Sequence, residues 1–327
     1  MLAVPEPATP APERVAATAR LFVIINPGSG AQDAKAKRDL LGEIFEAAGR
    51  SHQFVPIEGP AMLEGAVDKA AADAAGCGGV LVAVGGDGTI NTVAAAALRQ
   101  GCVLGVLPQG TFNLFARSHG ISQDLETAAA ALIRGCPEPV QVAQVNGRVF
   151  LVNASLGLYP QLLQDREGFQ DRFGRRRWVA IVSGLLTLFK WRRQLKLEIE
   201  LAGERTVLTT PTLFVGNNRL QLQRIGIAED TAARVGEGRL AAVAARPIGT
   251  MALMTLLLRG ALGTLGEAEQ VHSFAFQSLK VQVRGMRRLK VAVDGEVGVV
   301  TPPLLFAVST KPLMLVVPRP QDRVAVE

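Results

Sequence analysis

Three times within its first 113 residues the chain runs a short apolar stretch straight into a polar, glycine-bearing loop. LFVIINP (21–27) opens into Asn-Pro-Gly-Ser-Gly, GVLVAVGG (79–86) into Gly-Gly-Asp-Gly-Thr, and VLGVLPQGTFN (103–113) carries its own Gly-Thr-Phe-Asn. A continuous apolar run bounded by turn residues reads as a strand buried on both faces. Helical patterns follow. AKAKRDLLGEIFEAAG (34–49) sets Leu40, Leu41, Ile44 and Phe45 on one face and ends at glycine. INTVAAAALRQG (90–101) and DLETAAAALIRG (124–135) read the same way, the latter with Asp124 as N-cap and Glu126 in its first turn. Between them HQFVPIE (52–58) reads as a further strand and AMLEGAVDKAAADAAG (61–76) as a further helix. Strands alternating with helices predict an open parallel sheet covered on both faces.

From about Gln141 the rhythm changes. VAQVNGRVFLVNASLG places Asn-Gly between two apolar runs, a strong hairpin signal. QLKLEIELAGERTVLTTPTLFVGN, RLAAVAAR, LKVQVRG, RLKVAVDGE and PLLFAVS are short alternating segments broken by Gly or Pro, as in an antiparallel β domain. Two helical stretches, 175–194 and 250–265, interrupt it. The predicted organisation is a disordered tail over 1–19, an α/β domain over 20–140 and a β domain over 141–306, with 307–318 a candidate return to the first domain.

Charge and cysteine usage bound the partners. A net charge of +6 favours anionic ones: nucleotide phosphates, nucleic acid or a membrane surface. No aromatic-plus-basic RNA motif or helix-turn-helix pattern supports nucleic acid. Cys77, Cys102 and Cys136 are too few and too scattered for a disulfide framework or a metal site, which points to a reducing cytoplasm. His52, His119 and His272 lack metal-ligand spacing. No stretch reaches the ~20 apolar residues of a membrane span.

A glycine-rich turn between strand and helix exposes backbone N–H groups with no Cβ to block a phosphate. Gly85, Gly86 and Gly88 supply that surface. Asp87 in their midst would repel a phosphate unless a Mg²⁺ or a sugar hydroxyl stood between them, so a metal nucleotide is implied. Read alone, the turn could be a tight connection with Asp87 as a helix cap; three such loops on one sheet edge favour a ligand. Neither G-x-x-x-x-G-K-[ST] nor G-x-G-x-x-G is present.

INPGSG, VAVGGDGTIN, LPQGTFNLFAR and VDGE, in this order, resemble the diacylglycerol kinase catalytic domain family, which includes sphingosine and ceramide kinases. The resemblance covers about 20–317, with LVNASLGLYP (151–160) and LFVGNN (213–218) similar to segments of that family's second domain. It implies an NAD-kinase-like α/β domain followed by an antiparallel β-sandwich, with ATP in the cleft between them. By the same resemblance Asn26, Pro27, Gly28, Ser29 and Gly30, together with Gly85, Gly86, Asp87, Gly88 and Thr89, hold the phosphates and ribose. Gly110, Thr111 and Asn113 complete the nucleotide site, and Asp294 and Glu296 supply carboxylates to the cleft. Glu296 is the expected base toward a lipid hydroxyl, with Asp294 orienting it or meeting a metal, and Asp87 is the third expected catalytic residue. The expected cofactors are ATP and Mg²⁺. The expected acceptor is a diacylglycerol-like or sphingoid lipid met at the membrane surface by a cytoplasmic protein, peripheral at the inner face and a candidate homodimer.

The chain departs from the family at several points. Leu114 stands where Asp usually follows the Asn of Gly-Thr-x-Asn, Ala31 where a basic residue often follows the first loop, and Val235-Gly236-Glu237-Gly238 where a structural-metal segment commonly has Asp-Asp-Gly. No metal ligands are assigned. VPIEGP also lacks the usual Thr near the second strand. An NAD-kinase-type small-molecule kinase and a catalytically impaired nucleotide-binding regulator therefore stay open as alternatives. WVAIVSGLLTLF (178–189), between Arg172, Arg175, Arg176, Arg177 and Lys190, Arg192, Arg193, fits either an anionic bilayer or a core helix with solvated basic ends.

Overall fold

The computed structural model describes residues 19–26, 31–57, 59, 62–161, 194–201, 203–247, 249, 251–252, 255, 259, 264 and 271–325. The tail through residue 18, Pro27, Gly28, Ser29, Gly30, the basic-flanked stretch at 175–193 and most of 250–265 lie outside the described residues. The chain divides into two compact units, one of Met1–Thr111, His119–Pro139 and Leu313–Glu327, the other of Phe112–Ser118 and Val140–Pro312.

The first unit is built on strands β1 (Leu21–Ile25), β2 (His52–Phe54), β3 (Val80–Gly85), β4 (Val103–Pro108) and β5 (Cys136–Val140), joined by β18 (Leu313–Val317), in the order β2-β1-β3-β4-β18-β5. The pairs β1–β2, β1–β3, β3–β4 and β4–β18 are parallel. Every residue of β1 and β3 is buried, which requires cover on both faces. Helices α1 (Ala31–Ala47), α2 (Leu63–Cys77), α3 (Asp87–Gln100) and α5 (Leu125–Arg134) provide it, α1 packing with α5 and α2 with α3. Asp124 caps α5 as expected, accepting from Thr127 N at 2.9 Å and Thr127 Oγ1 at 2.6 Å. β5 carries Pro137 and Pro139, which only an edge strand accommodates, and it ends the sheet.

Residues 318–324 are stitched to this unit. Arg134 pairs with Asp322 at 2.8 Å, Arg319 donates to Arg134 O at 2.7 Å and Val324 N to Gly120 O at 3.0 Å. Beside them, burial and then the charge of Arg323 lower the pKa of His119 from 6.5 to about 4. The unfolded chain therefore binds this proton first, and stability falls as pH drops from about 6.5 toward about 4. Urea unfolding at pH 7.5 and pH 5 is expected to differ by about 2 kcal/mol through this group. The difference should shrink by that amount in His119→Gln; an equal difference in both proteins would place the acid sensitivity elsewhere.

The second unit is a sandwich of two antiparallel sheets. One has the order β10 (Glu204–Thr210), β9 (Leu195–Leu201), β14 (Ser278–Val283), β17 (Leu304–Val308), β6 (Ala143–Val145), β7 (Arg148–Phe150). The other runs β13 (Val271–Phe276), β12 (Leu240–Ala245), β11 (Thr212–Gly216), β8 (Asn153–Gly157), β15 (Leu289–Val293), β16 (Glu296–Val300). Alternate residues of both, among them Leu197, Leu279 and Phe306 from the first and Leu156, Leu213 and Val291 from the second, form one core. Two short helices, α6 (Arg219–Arg224) and α7 (Glu229–Ala233), pack Leu222 and Ala232 with Ala241 and Val243 of β12 in a smaller cluster. The Asn-Gly hairpin is present, with Asn146 at φ 48° and Gly147 at φ 81° joining β6 to β7. No helix among the described residues is long and apolar enough to cross a membrane.

Candidate functional site

In the first unit Asn26, the run Gly85–Thr89 and the run Gln109–Thr111 lie at the carboxyl ends of β1, β3 and β4, where open parallel sheets bind ligands. Asn26 follows β1 and donates from Nδ2 to Thr89 Oγ1 at 2.8 Å, with its N–H on Val84 O at 3.3 Å. Gln109 N donates to Gly85 O at 2.8 Å, drawing the β4 loop alongside. Gly85 has no room for a side chain, since a Cβ there would stand 2.8 Å from Thr89 Cβ. A Cβ on Gly86 would lie 3.6 Å from Gly110 Cα, so these two glycines face each other across the loops.

Sequence reading begins the helix at Ile90, but α3 begins at Asp87, because extended Gly86 acts as N-cap and Ile90 N already donates to Gly86 O at 3.0 Å. Asp87, Gly88 and Thr89 are thus the first turn of a helix instead of a loop, and Gly86, not Asp87, is the cap. The distinction matters chemically. A first helical turn directs backbone N–H groups and the positive end of the helix dipole outward, a ready phosphate cradle. Asp87 is half-buried there, and Thr89 is buried beneath it. Gly110 and Thr111 belong to this unit.

Asn113 belongs to the second unit, as do Asp294 and Glu296. Asn113 is buried with φ 45°, a left-handed conformation that Asn tolerates, and it leads into the short helix α4 (Leu114–Ser118). Leu114 opens that helix, and its carbonyl accepts from Asn218 Nδ2 at 3.2 Å. The sequence assigns 112–118 to the α/β domain; these residues group with the β unit, held there by Asn218.

Asp294 and Gly295 form the two-residue turn between β15 and β16, both at positive φ (47° and 91°). The Asp294 carboxylate accepts three backbone N–H groups, from Leu151 at 2.7 Å and from Val152 and Asn153 at 2.9 Å. It clamps the approach to β8. Glu296, two residues on, is 61% exposed and pairs with Arg148 at 3.0 Å. A Cβ on Gly298 would lie 3.0 Å from that guanidinium, so glycine leaves Arg148 its place along β16.

A network of amides extends from this turn. Asn153 Nδ2 donates to Gln221 Oε1 at 3.1 Å. Gln221 N is capped by Asn218 Oδ1 at 2.9 Å, and Asn218 Nδ2 reaches Ser118 Oγ at 3.1 Å. Asn217 donates to Leu151 O at 2.9 Å and accepts from Gln141 Nε2 at 2.7 Å. Gln141 also accepts from Gly238 N at 2.8 Å and donates to Arg239 O at 3.0 Å, so a carboxamide holds the Val235-Gly236-Glu237-Gly238 turn. Sequence reading assigns no role to Arg148, Gln141 or Gln221. Of this set, only Asn218 has a local signal, an Asn directly before a helical run.

Residues 20–145 match the diacylglycerol kinase catalytic domain. A protein named "Probable lipid kinase YegS-like" from Klebsiella pneumoniae (strain 342) is 46% identical over 79 residues, which is 24% of this chain and 27% of that one. "Diacylglycerol kinase" of Bacillus subtilis (strain 168) is 43% identical over 89 residues, 26% of this chain and 29% of its own. These alignments span between a quarter and a third of the curated relatives. A solved diacylglycerol kinase of Bacillus anthracis str. Sterne shares the fold across 93% of this chain and 97% of its own, with a TM-score of 0.63 at 16% identity. The α/β-plus-β fold class read from the sequence is thus the one found.

Proposed function

We propose that the protein is an ATP-dependent lipid kinase that transfers the γ-phosphoryl group to the hydroxyl of a diacylglycerol-like or sphingoid lipid. The observation that carries this reading is Gly-Gly-Asp-Gly-Thr folded as strand end and first helical turn, tied to Asn26, within a diacylglycerol kinase catalytic domain match. The first turn of α3 supplies N–H donors for phosphate oxygens. The Asn26–Thr89 hydrogen bond ties the end of β1 to this turn.

Asp87 fits a Mg²⁺ that arrives with the nucleotide. It is a half-buried carboxylate among glycines at an anion-binding turn, and Mg²⁺ takes one or two carboxylates beside substrate phosphates. When bound, the ion neutralises charge on the phosphates. Glu296 takes the proton of the lipid hydroxyl, whose oxygen forms the new bond to the γ-phosphorus. The bond from that phosphorus to the bridging oxygen breaks, and its electron pair leaves on ADP. Arg148 orients Glu296, and Asp294 holds the turn that carries it. A lipid acceptor would bring the protein to a membrane surface from the cytoplasmic side, where ATP is available; a homodimer is proposed with this reading.

The test is transfer of labelled γ-phosphate from ATP with Mg²⁺ to a mixed lipid extract, with NAD as a parallel acceptor. A labelled lipid is expected, reduced about 10²-fold in Glu296→Gln with ATP binding retained. Label on NAD instead would make the protein a small-molecule kinase. An unchanged rate in Glu296→Gln would remove the base assignment.

A further inference from the structure

Val235-Gly236-Glu237-Gly238 stands where the resembled family commonly has the Asp-Asp-Gly of a structural metal, and the groups around this turn show whether a cation fits. They do not suit one. Ca²⁺ takes about six to eight oxygens at about 2.3 to 2.6 Å, carboxylates among them, and Mg²⁺ one or two carboxylates at about 2.0 to 2.1 Å. The one carboxylate of the turn, Glu237, is exposed. Among the described residues no three His, Cys, Asp or Glu side chains cluster where they could hold a metal. Gly236 has φ 96°, a conformation closed to Asp without strain, so the backbone itself departs from an Asp-bearing turn.

A neutral group gathers the turn instead. Gln141 Oε1 accepts from Gly238 N at 2.8 Å, which fixes the other end of the amide as the nitrogen. Nε2 then directs its two hydrogens at two oxygens, Asn217 Oδ1 at 2.7 Å and Arg239 O at 3.0 Å. Asn217 is oriented in turn, because its Nδ2 donates to Leu151 O at 2.9 Å and leaves Oδ1 toward Gln141. Both distances from Nε2 are those of N–H···O bonds and exceed the metal–oxygen range. One amide nitrogen thus draws in oxygens from the end of β11 and the start of β12, at the point where the chain enters the second unit. An amide carries no net charge, so it needs no aspartates around it; aspartates here would be left facing carbonyl oxygens.

We propose that the Gln141 carboxamide stands in for a structural divalent cation at this turn, so that the second unit holds Val235–Arg239 against Asn217 without a metal. The linkage reaches the acceptor side of the unit. Asn217 holds Leu151 by its carbonyl, and the N–H of Leu151 is held by Asp294.

Thermal unfolding of the full chain in excess EDTA, in millimolar Mg²⁺ and in millimolar Ca²⁺ tests this. Neither nucleotide nor lipid is needed, so the result does not depend on the kinase reading. Wild-type midpoints are expected to agree within about 1 °C across the three buffers. Gln141→Ala should unfold about 5 °C lower in all of them, having lost three hydrogen bonds. Gln141→Glu is the discriminating variant. It sets a carboxylate oxygen against Asn217 Oδ1 and Arg239 O, so it should be destabilised in EDTA and regain about 3 °C or more in Ca²⁺. Three results would overturn the proposal: Gln141→Ala unfolding like the wild type, Gln141→Glu indifferent to Ca²⁺, or a cation-dependent rise in the wild type that Glu237→Gln removes. The last comparison uses an exposed position and decides the matter even where Gln141→Ala does not fold.

Discussion

Asp294→Ala is expected to destabilise the protein by about 3 to 5 kcal/mol in urea unfolding, because it strands the three backbone N–H groups of Leu151, Val152 and Asn153. Each loses a charged acceptor, and a buried donor left unpaired costs about 1 to 3 kcal/mol. Asp294→Asn separates this holding role from the charge. Asn tolerates the φ of 47° that the turn imposes, and its oxygen can keep the bonds from Val152 and Asn153. Its amide nitrogen would then face Leu151 N–H, donor against donor, so a smaller loss of about 1 to 3 kcal/mol is expected. If Asp294→Ala unfolds like the wild type, the carboxylate is not a structural clamp and its role is chemical alone.

Asp87→Asn should show the opposite signature. A carboxylate in the first turn of α3 contributes to the helix dipole by about 0.3 to 1 kcal/mol, so stability should hardly move. If the proposed function holds, phosphoryl transfer should fall about 10³-fold, since the variant lacks the Asp87 carboxylate proposed to meet Mg²⁺, while nucleotide affinity without Mg²⁺ should stay within a few-fold. Steady-state kinetics beside thermal unfolding makes the comparison. Wild-type turnover in a folded Asp87→Asn protein would take Asp87 out of the mechanism.

These two carboxylates also mark how far the sequence could be read. LFVII and VLVAVG were legible as interior strands because residues buried on both faces must all be apolar. The Asn-Gly hairpin was legible because positive φ restricts which residues fit. The start of α3 was not, since Gly86, Asp87 and Gly88 look like loop residues until a strand end and a helix turn are superposed on them. β5 was hidden by its two prolines, and β13 by a run, VHSFAF, in which only the last residue is buried. The candidate residues of the motifs could be named, but their partners could not. Glu296 meets Arg148 across 148 positions and Asn218 meets Leu114 across 104, and pairings at such range leave no local trace.

The place of β18 bears on how the protein is born. It lies inside the parallel sheet, between β4 and β5, yet its residues are translated only after the entire second unit. While the ribosome is still at work, the first unit has a missing slat in its middle, with β4 and β5 flanking an unfilled gap of strand-edge hydrogen bonds. The β unit, contiguous from Val140 to Pro312, can close first. Maturation would then run in the reverse of reading order, and the nascent first unit would be the one in need of a chaperone.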